Sequence, residues 1–258
     1  MNLLVVNAGS SSLKLRVLDA ADDLLQAEDL PAVRGQFDPG ALGRFLTERT
    51  GPIAAVGHRI VHGGSQFLGP ARLDATTIDA LRGLVSLAPL HQAACLRAAD
   101  IVAESLGDVP AVGCFDTAFH SSLSEAAATY AVPLEWRERW DVRRFGFHGL
   151  SHGYAWRRTI ELMGHSGTGV RVVTCHLGAG ASLAAVVDGR SVDTTMGFTP
   201  LEGLVMATRS GTIDPGLIIW LAQEQGIAVS EIAHALEHES GLYALAGSSD
   251  MAEVEALA

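Results

Sequence analysis

Long hydrophobic runs are missing from this sequence, and so are a cysteine framework, an excess of positive charge and, with one exception, lysine. The longest uninterrupted apolar stretch, Gly216 to Ala222, falls far short of the ~20 residues that span a bilayer, so no transmembrane helix is expected. Cys95, Cys114 and Cys175 are odd in number, widely spaced and free of any C-x-x-C pair. That argues against disulfides or a zinc site and for a reducing, cytoplasmic setting. Met1 to Asn7 has neither a basic segment nor an apolar run long enough for a signal peptide. Eighteen basic against 29 acidic side chains give a net charge of −11, which disfavours nucleic acid and anionic membranes as partners. Any bound phosphate must therefore be held by a local cluster of cations. Of the basic residues only Lys14 is a lysine, and it stands beside Ser10, Ser11 and Ser12, where a compact ammonium suits better than a planar guanidinium.

What remains is an ordinary globular composition, 48% hydrophobic and 18% charged over 258 residues, enough for one large or two small domains. Leu3 to Asn7, a Gly9/Ser10 turn and Ser12 to Asp19 read as a β-hairpin. The pattern recurs at Val172 to His176, Leu177 to Gly180 and Ala181 to Gly189; aligning Ser12 with Ser182 sets the copies 170 residues apart, the spacing of a duplicated domain. Helical spacing is expected over 74–85, capped by Asp74, and over 91–106, stopped by Gly107. Pro110 to Phe115 reads as a buried strand with Asp116 just past its carboxyl end, where ligands sit in open α/β sheets. After the second hairpin come a strand near 190–195, helices near 215–225 and 230–238, and a last helical stretch capped by Gly247 to Asp250. No later apolar strand completes a parallel sheet, so the second domain is expected to be incomplete. The division predicted is 1–142 and 143–258.

Two glycine-rich hairpin turns, Asn7 to Ser12 with Lys14 and His176 to Gly180, offer backbone N–H groups, hydroxyls and a cation, which is phosphate-binding chemistry. In Gly57 to Gly64 the alternation places Arg59 and Val61 on one face, a cation beside an apolar contact that suits a small carboxylate with a short tail. Thr208 to Pro215 supplies Arg209 in a loop before a helix, and arginines stabilise charge on a transferring phosphoryl group. A rival stands beside this. Gly149-Leu150-Ser151-His152-Gly153 spells G-x-S-x-G, His62-Gly63-Gly64 resembles an oxyanion-hole motif, and Asp188, Asp193 or Asp214 with His234 or His238 would complete a hydrolase order. Arg143 to His148 lacks the apolar run of a central strand before such a serine. The pairs His148/His152 and His234/His238 are not H-E-x-x-H, and no third zinc ligand is evident.

In order and spacing, NAGSSSLK, VGHRIVHGG, LAPLH, FDTAFH, FGFHGLSH, HLGAGASL, MGFTPLEGL, ATRSGTIDPG and SGLYALAGSSDM resemble the acetokinase family of carboxylate kinases across nearly the whole chain. The resemblance implies an α/β fold of duplicated actin-like, ribonuclease-H-like domains with mixed sheets, a homodimer, and Mg2+ (or Mn2+). It implies reversible phosphoryl transfer between ATP and acetate, giving acetyl phosphate and ADP. It also absorbs the G-x-S-x-G match into a cleft motif. Carried over residue by residue, Asn7, Ser10, Ser12 and Lys14 match the first phosphate loop, and His176, Gly178 and Gly180 the second. Asp116, with Asn7, matches the metal-associated position. Arg59, Asp116, His148 and Arg209 match the catalytic set, and Arg59, Val61, Leu90, Phe147 and Pro200 the site for the carboxylate and its methyl group. The chain departs from the family at Ala179, where asparagine is usual, at Thr212, where aspartate is usual, and at Gln92-Ala93. It also stops before the family's adenosine pocket and late glutamate, which leaves a non-catalytic phosphate-binding remnant, or a propionate- or butyrate-preferring kinase, as alternatives.

Overall fold

Alternation is the organising rule of the N-terminal hairpin. Leu4, Val6 and Ala8 on β1 (Asn2–Ala8) and Leu13, Leu15 and Val17 on β2 (Ser12–Leu18) are all buried, so the period-two pattern puts one face of the pair into the core. The computed structural model describes residues 1–9, 12–33, 35–49 and 51–257, and the side chains of these except residues 89 and 90. Ser10 and the side chain of Leu90 thus lie outside the described residues. The chain divides into two compact units, Met1–Phe119 and His120–Ala258. This packing division falls ahead of the 142/143 hand-over read from the sequence, because His120, Thr129 and Tyr130 bond Phe147 and Ser191, Arg143, and Glu202 respectively.

In the first unit β3 (Leu24–Val33) and β4 (Gln36–Phe37) extend the hairpin, and α1 (Pro39–Glu48) follows from an Asp38 cap whose carboxylate accepts from Gly40 N. β5 (Ile53–Ile60), the edge strand β6 (Ala71–Arg72), α2 (Ala75–Arg82), α3 (Pro89–Leu106) and β7 (Ala111–Phe115) complete it. The sheet order is β4-β3-β2-β1-β5-β7-β6. β1, β2 and β3 run antiparallel, whereas β5 lies parallel to β1 and β7 parallel to β5. This is the mixed α/β sheet expected. α3 packs on β1 and β5 through Ala94, Cys95, Ala98, Ala99 and Val102, small side chains that bring helix and sheet close. Asp74 caps α2 as its position predicts, but the helix ends at Arg82, and a separate 3-10 turn occupies Val85–Leu87.

The second unit opens with the short helices α4 (Glu125–Ala128) and α5 (Leu134–Trp140), then α6 (Gly149–Met163). β8 (Arg171–Leu177), β9 (Ala181–Val187) and β10 (Arg190–Thr194) form an antiparallel meander in the order β10-β9-β8. Helices α7 (Pro215–Gln223), α8 (Val229–His238), α9 (Gly241–Ala246) and α10 (Met251–Ala256) follow. Among the described residues no parallel strand joins this second sheet, in keeping with the incomplete second domain expected from the sequence. Nor is any described helix long and apolar enough to cross a membrane.

Both units bury histidine. Burial pushes His58 and His62 in the first unit, and His152 in the second, down to about 4 from an ordinary 6.5. Above pH 6.5 these rings are neutral whether the chain is folded or not, and stability is full. Between 6.5 and 4 the unfolded chain binds protons that the folded chain refuses, so stability falls as pH falls. The unfolding free energy from urea titration is expected to drop from pH 7.5 to pH 5 by on the order of 2 kcal/mol per buried ring. His58→Gln, which cannot titrate, should flatten that slope; an unchanged slope would contradict the assignment.

Candidate active site

Three neighbouring strands build the candidate site of the first unit. Asn7 ends β1 opposite Arg59 on the parallel strand β5, and Arg59 in turn lies opposite Cys114 on β7. Across the hairpin Asn7 faces Lys14, whose side chain is exposed. Residues in one such row share one face of the sheet, so the register alone sets Lys14, Asn7 and Arg59 side by side. Asp116 follows β7 directly and continues its ladder through Asp116 N to Ile60 O at 3.0 Å.

The Arg59 guanidinium closes this arrangement. Its Nη1 donates to Asn7 Oδ1 at 3.0 Å, its Nη2 to Asp116 Oδ2 at 2.6 Å, and its Nε reaches both carboxylate oxygens at 3.1 Å. Asp116 is 2% exposed and the Arg59 side chain 23%. Burial works against the arginine charge, but the Asp116 carboxylate more than offsets it and raises the Arg59 pKa above its ordinary value. The loop beyond β5 is clasped as well. Gln92 accepts from His62 N and donates to His62 O, both at 3.0 Å, and Thr117 Oγ accepts from Gly63 N at 3.1 Å. These bonds hold Val61, which is buried in the first unit, beside the end of β5. Ser12 begins β2, and its carbonyl accepts from Gly9 N at 2.9 Å to close the first turn.

The second unit assembles His148, His176, Gly178, Gly180 and Arg209. His148 is the N-cap of α6 and sits in the left-handed region at φ 58°, a conformation uncommon for a side chain of its size. Its ring stacks on that of His176, centroids 3.9 Å apart. Gly178 N donates to Gly180 O at 3.1 Å across the β8–β9 turn. A methyl group at Gly180 would lie 3.4 Å from His148 Cε1 and Nε2 and 3.6 Å from Arg209 Nη1, so imidazole and guanidinium both approach the bare face of this glycine. Ala179, where the resemblance expects asparagine, contributes backbone instead, its carbonyl accepting from Ala207 N at 3.2 Å and tying the Arg209 loop to the turn. Among the described residues Arg209 forms no ion pair. Burial lowers its pKa, with Glu237 opposing, so the cation lacks a close counter-charge. Phe147 is buried and Pro200 half-buried in this unit.

Several residues here escaped the sequence reading. His152 Nε2 and His148 Nδ1 both bond Ser182 Oγ, at 2.8 and 2.9 Å, and His152 Nδ1 bonds Thr174 Oγ at 2.8 Å. The i,i+4 histidine pair was a visible signal; the hydroxyls joining it were not. Tyr130, Arg144 and Glu202 brace the loop that carries Pro200. Tyr130 donates to Glu202 and accepts from Phe198 N, while Arg144 donates to Glu202 Oε1 at 2.8 Å and to Met196 O at 3.0 Å. The hydrolase rival fails on geometry. Before Gly149 there is only an isolated bridge at Arg143, not a strand, and Ser151 lies on α6 with its Oγ bonded to His176 Nδ1 at 2.9 Å.

Among the described residues no three His, Cys, Asp or Glu side chains converge as a metal cage. The oxygen donors Asn7 Oδ1 and the Asp116 carboxylate nonetheless fit Mg2+, which takes one or two protein oxygens and completes its shell with water and phosphate.

A hairpin, two further parallel strands and a mixed sheet define the first unit as an α/β domain of the ribonuclease-H-like kind. The chain belongs to the acetokinase family, which it matches over residues 42–258. It is 41% identical to the acetate kinase of Deinococcus deserti and 40% to that of Thermosipho melanesiensis, covering 100% and 99% of this chain and 72% and 71% of those proteins. The crystal structure of Porphyromonas gingivalis acetate kinase superposes with a TM-score of 0.87 at 32% identity, over 99% of this chain and 72% of that one. A propionate kinase from Francisella tularensis gives 0.89 at 33%, over 99% and 73%. The chain thus spans about seven-tenths of the length of these relatives.

The half-buried Arg59 charge should make Asp116 important to stability. Asp116→Asn is expected to lower stability by about 3 kcal/mol, because it strands a guanidinium away from water. Urea unfolding reads this directly; an unchanged midpoint would refute the pairing.

Proposed function

We propose that this chain is a carboxylate kinase that transfers a phosphoryl group reversibly between ATP and acetate, giving acetyl phosphate and ADP. The observation that carries the reading is the Asn7–Arg59–Asp116 cluster at three adjacent strand ends, in a chain 41% identical to an acetate kinase. Acetate is already ionised at neutral pH, so the nucleophile needs no general base. The task is to align two anions and neutralise the charge between them. Arg59, its orientation fixed by Asp116 and Asn7, pairs with the carboxylate or the transferring phosphoryl. Arg209 and His148 stabilise the charge that develops on the phosphoryl oxygens. Mg2+ (or Mn2+), held through Asp116 and Asn7, supplies charge neutralisation at the nucleotide phosphates when bound.

Asn7, Ser10, Ser12 and Lys14, and His176, Gly178 and Gly180, are assigned to the nucleotide and phosphate loops. Val61, Leu90, Phe147 and Pro200 are assigned to the methyl group of the substrate. The reading includes two actin-like domains divided at 142/143 and a homodimer. A cytoplasmic setting, supported by three free cysteines, completes it.

The test is ADP formation from Mg-ATP with acetate, propionate or butyrate, beside a reaction without carboxylate. Turnover is expected to require a carboxylate, to be greatest with acetate, and to fall by about a thousandfold in Arg59→Ala. A preference for propionate would reassign the substrate. Turnover indifferent to Arg59, or none from folded protein, would overturn the reading, the latter in favour of a phosphate-binding role without catalysis.

A further inference from the structure

We propose that Thr174, His152 and Ser182 form a hydroxyl–imidazole relay that fixes the tautomer of His148, which makes Thr174 and Ser182 positioning residues for the phosphoryl transfer proposed above. The inference depends on that function only for what His148 does, not for the relay itself.

The register of the second hairpin supplies the parts. His176 lies opposite Ser182 and Thr174 opposite Ala184, so Thr174, His176 and Ser182 project from the same face of β8 and β9. α6 packs on β8 and presents His152 one turn after its cap residue His148. Both imidazoles therefore meet the single, fully buried Ser182 hydroxyl, at 2.9 Å from His148 Nδ1 and 2.8 Å from His152 Nε2.

A hydroxyl has one proton to give. If Ser182 donates to His152 Nε2, it must accept from His148 Nδ1–H, and both neutral rings carry their proton on Nδ1. If it donates to His148 Nδ1, it must accept from His152 Nε2–H, and both rings carry their proton on Nε2. So long as Ser182 gives its proton to one of these two rings, the histidines share the same tautomer. Thr174 chooses between them. Ala184 O, 3.4 Å from its hydroxyl, can only accept, and a hydroxyl turned toward it leaves its oxygen to accept from His152 Nδ1–H at 2.8 Å. The proton order then runs from His148 Nδ1–H to Ser182, from Ser182 to His152 Nε2, from His152 Nδ1–H to Thr174, and from Thr174 to Ala184 O.

This order has a chemical consequence. With Nδ1–H committed to Ser182, the Nε2 of His148, on the ring edge against Gly180, donates a hydrogen bond only when the ring is protonated. Ser182 accepts from Nδ1–H in the neutral ring and in the imidazolium alike, so charging His148 requires no rearrangement behind it. His152 remains neutral, since burial chiefly, with His120 and His176 acting the same way, pushes it down to about 4. The stacked His176 ring and, beside Gly180, Arg209 are among the groups that face His148. His120 lies edge-on to His152, ring centroids 5.7 Å apart, and makes its own hydrogen bonds. Its Nε2 meets Phe147 O, which can only accept, and its Nδ1 meets Ser191 Oγ, at 2.9 and 2.8 Å.

Two-bond proton–nitrogen correlation spectra of the full chain, labelled with 15N-histidine, read each tautomer directly. In the wild type His148 and His152 should both be Nδ1–H. Thr174→Val, which keeps the shape but removes the acceptor, should switch both rings together to Nε2–H although Thr174 does not hydrogen-bond His148, and Thr174→Ser should restore them. In a Ser182→Ala background the Thr174→Val exchange should leave His148 unchanged. Ser182→Ala should also lower kcat about tenfold, the size of one hydrogen bond to a charged group, with KM for acetate little altered. Unlike tautomers on the two rings, Nε2–H on His148 in the wild type, or a His148 indifferent to Thr174→Val would overturn the relay. Absent carboxylate-dependent turnover would overturn the proposed function instead, and the spectra would still decide the relay.

Discussion

A single guanidinium ties the first unit together at its functional edge. Arg59 bonds Asn7 at the end of β1 and Asp116 at the end of β7, while its own backbone belongs to β5 between them. The parallel register sets Asn7 level with Arg59 and Asp116 two residues beyond Arg59's partner Cys114, and the buried carboxylate makes the cation tolerable there. Removing any one leaves the others miscast, because a buried charge without its partner costs far more than the pair contributes. The same pairing fixes the orientation of Arg59, and a preoriented planar fork is what recognition of a carboxylate or phosphoryl group requires.

The second unit solves a related problem with imidazoles in place of an ion pair. His148 and Arg209 both approach the bare face of Gly180 in its hairpin turn, and buried hydroxyls hold the histidines. In both units a glycine-bearing turn supplies backbone while the adjoining strands and helix supply oriented side chains. Arg209 differs from Arg59 in having no close carboxylate among the described residues, which leaves its charge for an incoming anion. The brace of Tyr130, Arg144 and Glu202, anchored to the end of β10 through Arg144 and Thr194 O, keeps the neighbouring Pro200 loop in place.

Both hairpins were legible in the sequence because half-buried strands alternate, and Leu4, Val6, Leu13 and Leu15 alternate cleanly. β3 was not legible. Its side chains are mostly exposed, Gln26, Glu28 and Asp29 carry no apolar pattern, and only pairing with β2 makes it a strand. α1 left a signal that went unused, an Asp38 cap followed by Pro39 at the first helical position, masked by two glycines within the helix. Arg59 and Asp116 could be singled out because each sits near a strand end beside turn residues. Ser182 and Thr174 could not, since a serine and a threonine in a strand mean nothing until α6 lays His152 across them. Ser151 shows the opposite error that short motifs invite. Its G-x-S-x-G spacing is real, but the residues before it form no strand, so the geometry that gives the motif its chemistry is missing.

The account stands on Arg59 acting as an oriented fork and not merely as a positive charge. Calorimetric titration of the whole chain with acetyl phosphate, wild type beside Arg59→Lys, separates the two. The lysine keeps the charge and loses the planar, two-point geometry, so affinity should fall by about tenfold or more. Equal affinity in the two proteins would contradict the account.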